Sequence, residues 1–187
     1  MVFLASNAND LATSRNSGDG TTSGLEVVVG TDIGQEGIGI PISISATFTD
    51  TEFENGFDSN KYTGANVAEK AADLAKQQWW LANTSGKSFP YIPETMVNIR
   101  GGLEFEKFST YLNYHWQDSV FTNELNDHEL DSYGILDWSG FLEISKGVTA
   151  FAKVSNLGDE EYAHSILPGG YRPGMPRSWS LGMEFDF

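Results

Sequence analysis

Apolar side chains recur at every second position along most of this chain. In residues 176–187, Trp179, Leu181, Met183, Phe185 and Phe187 alternate with Ser178, Ser180, Gly182, Glu184 and Asp186. Successive side chains of a strand point to opposite faces, so this segment has one greasy face and one polar face. The same period appears in residues 40–53, where Ile40, Ile42, Ile44, Ala46 and Phe48 oppose Pro41, Ser43, Ser45, Thr47 and Thr49. It appears again in 21–33, 94–106, 107–121, 132–145 and 148–156. Residues 1–6 read as the tail of a further strand, so the pattern predicts about eight strands in all.

Between the strands, residues 7–20 are loop by composition and 34–39 form a Gly-rich turn. Residues 54–91 form a long insertion in which 66–80 predicts a helix. Asn66 is a good N-cap, Glu69 completes a capping box, and Ala71, Ala72, Leu74 and Ala75 favour helix. Pro90 and Pro93 exclude helix beyond it.

The connections alternate in length. Short ones fall at 34–39, 106–107 and 146–147; long ones fall at 7–20, 54–91, 122–131 and 157–175. An up-and-down membrane barrel has short periplasmic turns and long extracellular loops in strict alternation. Aromatic residues gather near predicted strand ends, among them Tyr114, Trp116, Phe121, Tyr133, Trp138 and Trp179, as in an interfacial girdle. The expected fold is all-β: an antiparallel up-and-down transmembrane β-barrel segment of about eight strands. One short helix sits in the extracellular loop 54–91. A stand-alone eight-stranded barrel with a structural or adhesive role also fits the strand count. An acidic carbohydrate-binding sandwich is a third option, though its shorter strands and closer turns match less well.

Composition narrows function. The chain has 187 residues, 11 Lys+Arg against 26 Asp+Glu, and a formal net charge of −15. Nucleic-acid binding needs a cationic surface, so that class is excluded. Without cysteine there is neither a disulfide nor a thiolate site. No apolar run approaches the ~20 residues of a membrane helix. Met1 to Ser6 lack the charge and length of a secretory leader, so the chain reads as a piece of something longer.

Candidate chemistry is sparse. His115, His128 and His164 lack metal-ligand spacing, and Asp50, Glu52, Glu54 and Asp58 lack the EF-hand pattern. His115 and Ser119 would lie about 13 Å apart on a strand, at ~3.3 Å per residue, too far for a base and its nucleophile. No catalytic residue, metal or cofactor is therefore expected. On the polar faces, Arg100, Tyr111, His115 and Gln117 point to one side, where they would meet a ligand, a plug or one another. Trp79 and Trp80, at the end of the predicted helix, are candidate loop contacts to a ligand.

The stretch Lys153-Val-Ser-Asn-Leu-Gly-Asp-Glu-Glu-Tyr162 resembles the penultimate-strand signature of TonB-dependent outer-membrane receptors. Its Asn156, Leu157, Asp159 and Tyr162 match an Asn-Leu-aromatic-Asp-x-x-Tyr pattern, with Gly158 where an aromatic is usual. Pro173, Gly174, Pro176 and Arg177 match a Pro-Gly-x-Pro-Arg loop that leads into a last strand ending in Phe. Gly24-Leu25-Glu26 and Pro90-Tyr-Ile-Pro93 resemble two strand openings further upstream in the family order. The resemblance implies the last third of a barrel of about twenty-two strands, in the outer membrane of a Gram-negative bacterium. It implies a receptor rather than an enzyme, taking up a ferric siderophore or similar scarce chelate. It also implies outer-membrane lipid around the barrel and TonB coupling through an N-terminal plug region. The terminal aromatics Phe185 and Phe187 would be the signal read by the barrel-assembly machinery. Asn156 and Asp159 are placed to bond backbone groups where strand becomes loop.

Overall fold

The computed structural model describes residues 2–6, 12–16, 19–54, 84–166 and 170–186. The predicted helix at 66–80, Trp79, Trp80, Asp58 and Phe187 lie outside the described residues.

Strands β1 (Val2–Ser6) and β2 (Ala12–Asn16) pair as an antiparallel hairpin. Six more long strands follow the alternation: β3 (Gly20–Asp32), β4 (Pro41–Phe53), β5 (Thr95–Glu104), β6 (Phe108–Gln117), and then, beyond the small loop strands β7 (Val120–Phe121) and β8 (Glu129–Leu130), β9 (Tyr133–Ser145) and β10 (Val148–Ser155). A second loop hairpin, β11 (Ala163–Ser165) with β12 (Arg172–Pro173), precedes the last strand β13 (Ser178–Phe185). The main sheet runs β13-β10-β9-β6-β5-β4-β3, each long strand antiparallel to its neighbour. Among the described residues, β3 and β13 stand at its two edges and the sheet is open.

Three expectations change. Residues 12–16, expected as loop, are strand. Ala-Thr-Ser-Arg-Asn has no apolar alternation, so only its backbone pairing reveals it. The strand expected over 107–121 ends at Gln117. There the Asp118 carboxylate accepts the Ser119 N–H at 2.9 Å, and Val120-Phe121 turn away to pair with β8. The sheet thus holds seven long strands, and the eighth expected segment, residues 1–6, pairs with β2 instead.

The register explains the sequence period. One line of partners crosses all seven strands: Thr31, Ile42, Gly101, Leu112, Trp138, Val154 and Trp179. All of these carry the parity of the apolar face. A one-residue slip at any strand would turn its apolar side chains to the wrong face. The line also climbs: Thr31 lies beside a short turn, whereas Trp179 lies beside a long loop. Such drift is the stagger that tilted strands of a barrel require.

The apolar face is bare. Leu181 is 82% exposed, Trp179 71% and Leu25 60%, and Ile44, Phe48, Leu112 and Leu142 are exposed with them. A contiguous greasy face of this extent is not left open to water. The buried apolar residues lie instead toward the long-loop end, in Phe53, Val120, Leu130 and Val154, the last on the apolar-face line itself near the end of β10. There Phe89 packs on Phe53 with ring centroids 4.7 Å apart. Asn126, at φ 52°, joins the loops by accepting the Ser88 N–H at 2.8 Å and donating to the Ser88 carbonyl at 3.0 Å. Lys87 Nζ donates to the Leu125 carbonyl. At the opposite end, Gly147 takes φ +78° in the two-residue turn between β9 and β10, a conformation that favours glycine.

Placing a charge on the bare face has a definite expected cost. Leu112→Arg, near the middle of β6, should destabilise the intact receptor in lipid by roughly 2–4 kcal/mol. Asn113→Arg, one residue on and facing the other way, should stay within about 1 kcal/mol. Urea titration in lipid vesicles measures both; equal losses would mean the faces are assigned wrongly.

Candidate functional site

The polar face of β4, β5, β6 and β9 forms a continuous wall. In register across it stand Ser43, Arg100, Asn113 and Asp137. One step nearer the long loops stand Ser45, Asn98 and His115. These side chains line a cleft of about 240 Å³.

Arg100 and Tyr111 touch. The guanidinium carbon sits 4.3 Å from the ring centroid, in cation–π range. The Tyr111 hydroxyl donates to Glu104 Oε1 at 2.5 Å. Arg100 itself has no carboxylate within ion-pair distance among the described residues. His115 Nδ1 lies 2.7 Å from Asn98 Oδ1. That oxygen only accepts, so the network assigns the proton to Nδ1 and leaves Nε2 as an acceptor. Asn98 Nδ2 in turn donates to Ser45 Oγ at 3.4 Å. Gln117 stands apart from Arg100, accepting the Tyr133 hydroxyl at 2.9 Å. The His115 and Tyr133 rings lie 6.5 Å apart, which links the two groups.

The fold thus brings Arg100, Tyr111 and His115 to one wall and places Gln117 at its upper end. Sequence parity missed a second cationic position. Lys153 Nζ sits 5.2 Å from the Phe151 ring and 5.8 Å from the Phe141 ring. Both rings share its polar-face parity, a signal that an apolar/polar division of the faces conceals. Among the described residues no group of three or more His, Asp or Glu side chains is placed to hold a metal.

The motif residues form a bracket where β10 leaves the sheet. Asn156 is 2% exposed and takes φ 54°. Its Nδ2 donates to the carbonyls of Glu160 (2.9 Å) and Met175 (3.0 Å), and its Oδ1 accepts the Glu160 N–H at 2.8 Å. Its own N–H donates to the Asp137 carboxylate at 2.8 Å. The Leu157 N–H donates to the Leu136 carbonyl at 2.6 Å. Asp159 accepts the Arg177 N–H at 3.3 Å and meets its guanidinium at 3.7 Å, a solvent-exposed pair of small worth. Tyr162 stacks on Tyr133 at 4.1 Å and accepts the Gly174 N–H through its carbonyl at 2.7 Å. A Cβ on Gly174 would stand 2.0 Å from the Tyr162 ring, so no other residue fits there without movement. Pro173 lies in β12, opposite Ala163, with Pro176 between that hairpin and β13. Phe185 pairs with Val148 at the short-turn end and is 53% exposed.

Asn156→Ala removes three side-chain hydrogen bonds and places alanine in the left-handed region. The expected loss is roughly 2–4 kcal/mol, of which Asn156→Gly recovers about 1. Trypsin cleavage after Arg177 should rise in the same order; unchanged cleavage would show that the bracket does not hold the loop.

A family model described as TonB dependent receptor-like, beta-barrel, matches residues 1–157. No curated protein sequence matches. Solved structures do. The siderophore receptor PiuA from Acinetobacter baumannii is 20% identical, with TM-score 0.67, over 90% of this chain and 22% of that one. The ferric yersiniabactin uptake receptor FyuA from Yersinia pestis is 15% identical, with TM-score 0.67, over 94% and 25%. The ferripyoverdine receptor of the outer membrane of Pseudomonas aeruginosa is 15% identical, with TM-score 0.61, over 90% and 20%. The chain therefore spans between a fifth and a quarter of the length of these receptors. At such identity the likeness speaks for fold, and the fold agrees with the one-faced, staggered sheet. The chain belongs to the TonB-dependent receptor β-barrel family.

Proposed function

We propose that this chain forms part of the wall of an outer-membrane receptor that takes up a ferric siderophore or similar anionic chelate. The observation that carries the reading is the two-faced sheet. Its outer face is predominantly apolar, and its inner face holds Arg100 against Tyr111, with no carboxylate in ion-pair range among the described residues. A guanidinium on an aromatic face inside a polar wall suits an anionic, aromatic-bearing chelate that must pass without being trapped. The names of the three structural neighbours, two of them receptors for named ferric ligands and one for siderophores in general, support the same direction. The wall has no arrangement of nucleophile and base, so the proposed role involves no bond chemistry.

On this reading the strands lie in outer-membrane lipid, with the long loops outside and the short turns in the periplasm. The segment 54–91 is an extracellular loop. Gating belongs to a plug driven through TonB, and insertion to the barrel-assembly machinery, for which Phe185 and Phe187 are the terminal aromatics. The stand-alone eight-stranded barrel gains no support from an open seven-stranded main sheet.

Cells carrying the intact receptor as their sole high-affinity iron importer test the proposal. Uptake of radiolabelled iron, supplied as a panel of catecholate and hydroxamate chelates, should be saturable for at least one chelate. Arg100→Gln should reduce that uptake roughly tenfold, the scale of one charge-assisted contact. Arg100→Lys should restore part of it, with receptor levels in the outer membrane unchanged. No uptake of any chelate would reject the transport reading. Uptake indifferent to both substitutions would remove Arg100 from the path.

A further inference from the structure

The polar wall repeats one small arrangement. On β5 and β6, the Tyr111 ring covers Gly102, its partner across the ladder, where a Cβ would stand 2.5 Å from the ring. Arg100 caps that ring at 4.3 Å. On β10 and β13, the Phe151 ring covers its partner Gly182 in the same way, again at 2.5 Å, and Lys153 caps that ring at 5.2 Å. In each unit the glycine lets an aromatic ring approach the sheet closely. Phe141 joins the units, with its ring 6.2 Å from Tyr111, 6.5 Å from Phe151 and 5.8 Å from Lys153 Nζ. The three rings are half-buried and both cations are exposed.

The charges on this wall are uncompensated. Lys153, like Arg100, has no carboxylate within ion-pair distance among the described residues. Glu104 is engaged by the Tyr111 hydroxyl, and Asp137 by the Asn156 N–H. Glu143 and Glu184 share the parity of Phe151 but stand one step nearer the short turns, two steps from Lys153. Lys107, whose carbonyl accepts the Glu143 N–H, stands beside them. The partners of Lys153 in register are Ser139 and Ser180, whose short side chains leave the ammonium open to approach. A guanidinium seated on a ring keeps its edge N–H donors free, and an ammonium keeps three. Strands β5 and β10 are three spacings apart, about 14 Å. Arg100 and Lys153 each lean over rings that lie between those strands.

We propose that Lys153, with Phe141 and Phe151, is a second anion station on this wall. Together with Arg100 and Tyr111 it receives one polyanionic chelate bearing aryl rings, the ferric tris-catecholate class. Such a ligand carries its negative charge around its rim, where two separated cations meet it, and its aryl faces pack on the rings between them. A neutral ferric tris-hydroxamate offers neither the charge nor the rings. The station rests on the receptor reading, because it takes this wall to line the ligand path.

The test is equilibrium binding of two radiolabelled probes to the purified intact receptor: a trianionic ferric tris-catecholate and a neutral ferric tris-hydroxamate. The tris-catecholate should bind at least roughly tenfold tighter. Lys153→Gln should weaken it roughly tenfold, the scale of one charge-assisted contact, and Lys153→Arg should restore most of that. Phe151→Leu, which keeps the charge and removes the ring, should weaken it roughly threefold. Heat-modifiable migration of each variant on a gel shows that the barrel has folded. Equal binding of the two probes, no binding of the tris-catecholate, or indifference to Lys153→Gln overturns the station. A Lys153→Gln receptor that binds normally but admits large antibiotics gives these side chains to the plug and overturns it as well. Iron uptake by cells separates the two readings. Binding that depends on Lys153, without uptake, rejects transport and keeps the station; uptake with Lys153-independent binding does the reverse.

Discussion

Inside a bilayer no water reaches the backbone, so every N–H and C=O must find its partner in a neighbouring strand. On the receptor reading proposed for this chain, that constraint governs the molecule. It imposes long antiparallel ladders, and a ladder can hold only one register if one face is to stay apolar. The line from Thr31 through Leu112 to Trp179 is the result, with seven strands presenting the same parity outward. On the proposed receptor reading, stability in such a sheet comes from the ladder and from lipid contact, not from an interior. This is why Leu181 is 82% exposed while the buried apolar residues lie elsewhere.

Those buried residues gather at the long-loop end of the sheet, in the loops and in the strand ends next to them. Outside the bilayer, water competes for every backbone group, and loops must fold by the ordinary means of burial and side-chain capping. Phe53, Phe89, Val120 and Leu130 supply the burial. Asn126 and Asn156 supply the capping, each from the left-handed region where asparagine is tolerated better than most residues. The same chain thus uses two kinds of structural physics, divided at the strand ends. The inner wall is the surface left for function, and its polar groups are mostly satisfied by one another. Arg100, resting on Tyr111 with no carboxylate partner among the described residues, is the exception that gives the wall a direction of charge.

How much of this was legible from the residues follows the same division. The long strands were read within a few residues because period two is written directly in side chains such as Ile42, Ile44 and Ala46. Loop order was legible because turn length separates the two ends of the sheet. Strand β2 was not, since Ala12 to Asn16 carry no apolar alternation. The bend after Gln117 was hidden because Val120 and Phe121 have the side chains of strand residues, while they pair with β8 among the loops. At the candidate site, parity was enough to group Arg100, Tyr111 and His115. It could not show that Lys153 lies over two phenyl rings, because aromatics on the polar face look misplaced until the strands are paired. The motif residues were recognised by spacing, but Asn156 reaching to Met175 is a contact across the loop that spacing does not contain.

The central claim is that each strand turns one side to lipid and the other to water. A spin-label scan of β6 tests it most directly. The given chain has no cysteine, so single cysteines can be introduced and labelled one at a time over residues 108–117. In the intact receptor in lipid vesicles, relaxation by oxygen should peak at positions 110, 112 and 114. Relaxation by a water-soluble nickel chelate should be favoured at 111, 113 and 115. Uniform accessibility along the strand, or alternation of the opposite phase, would contradict the account.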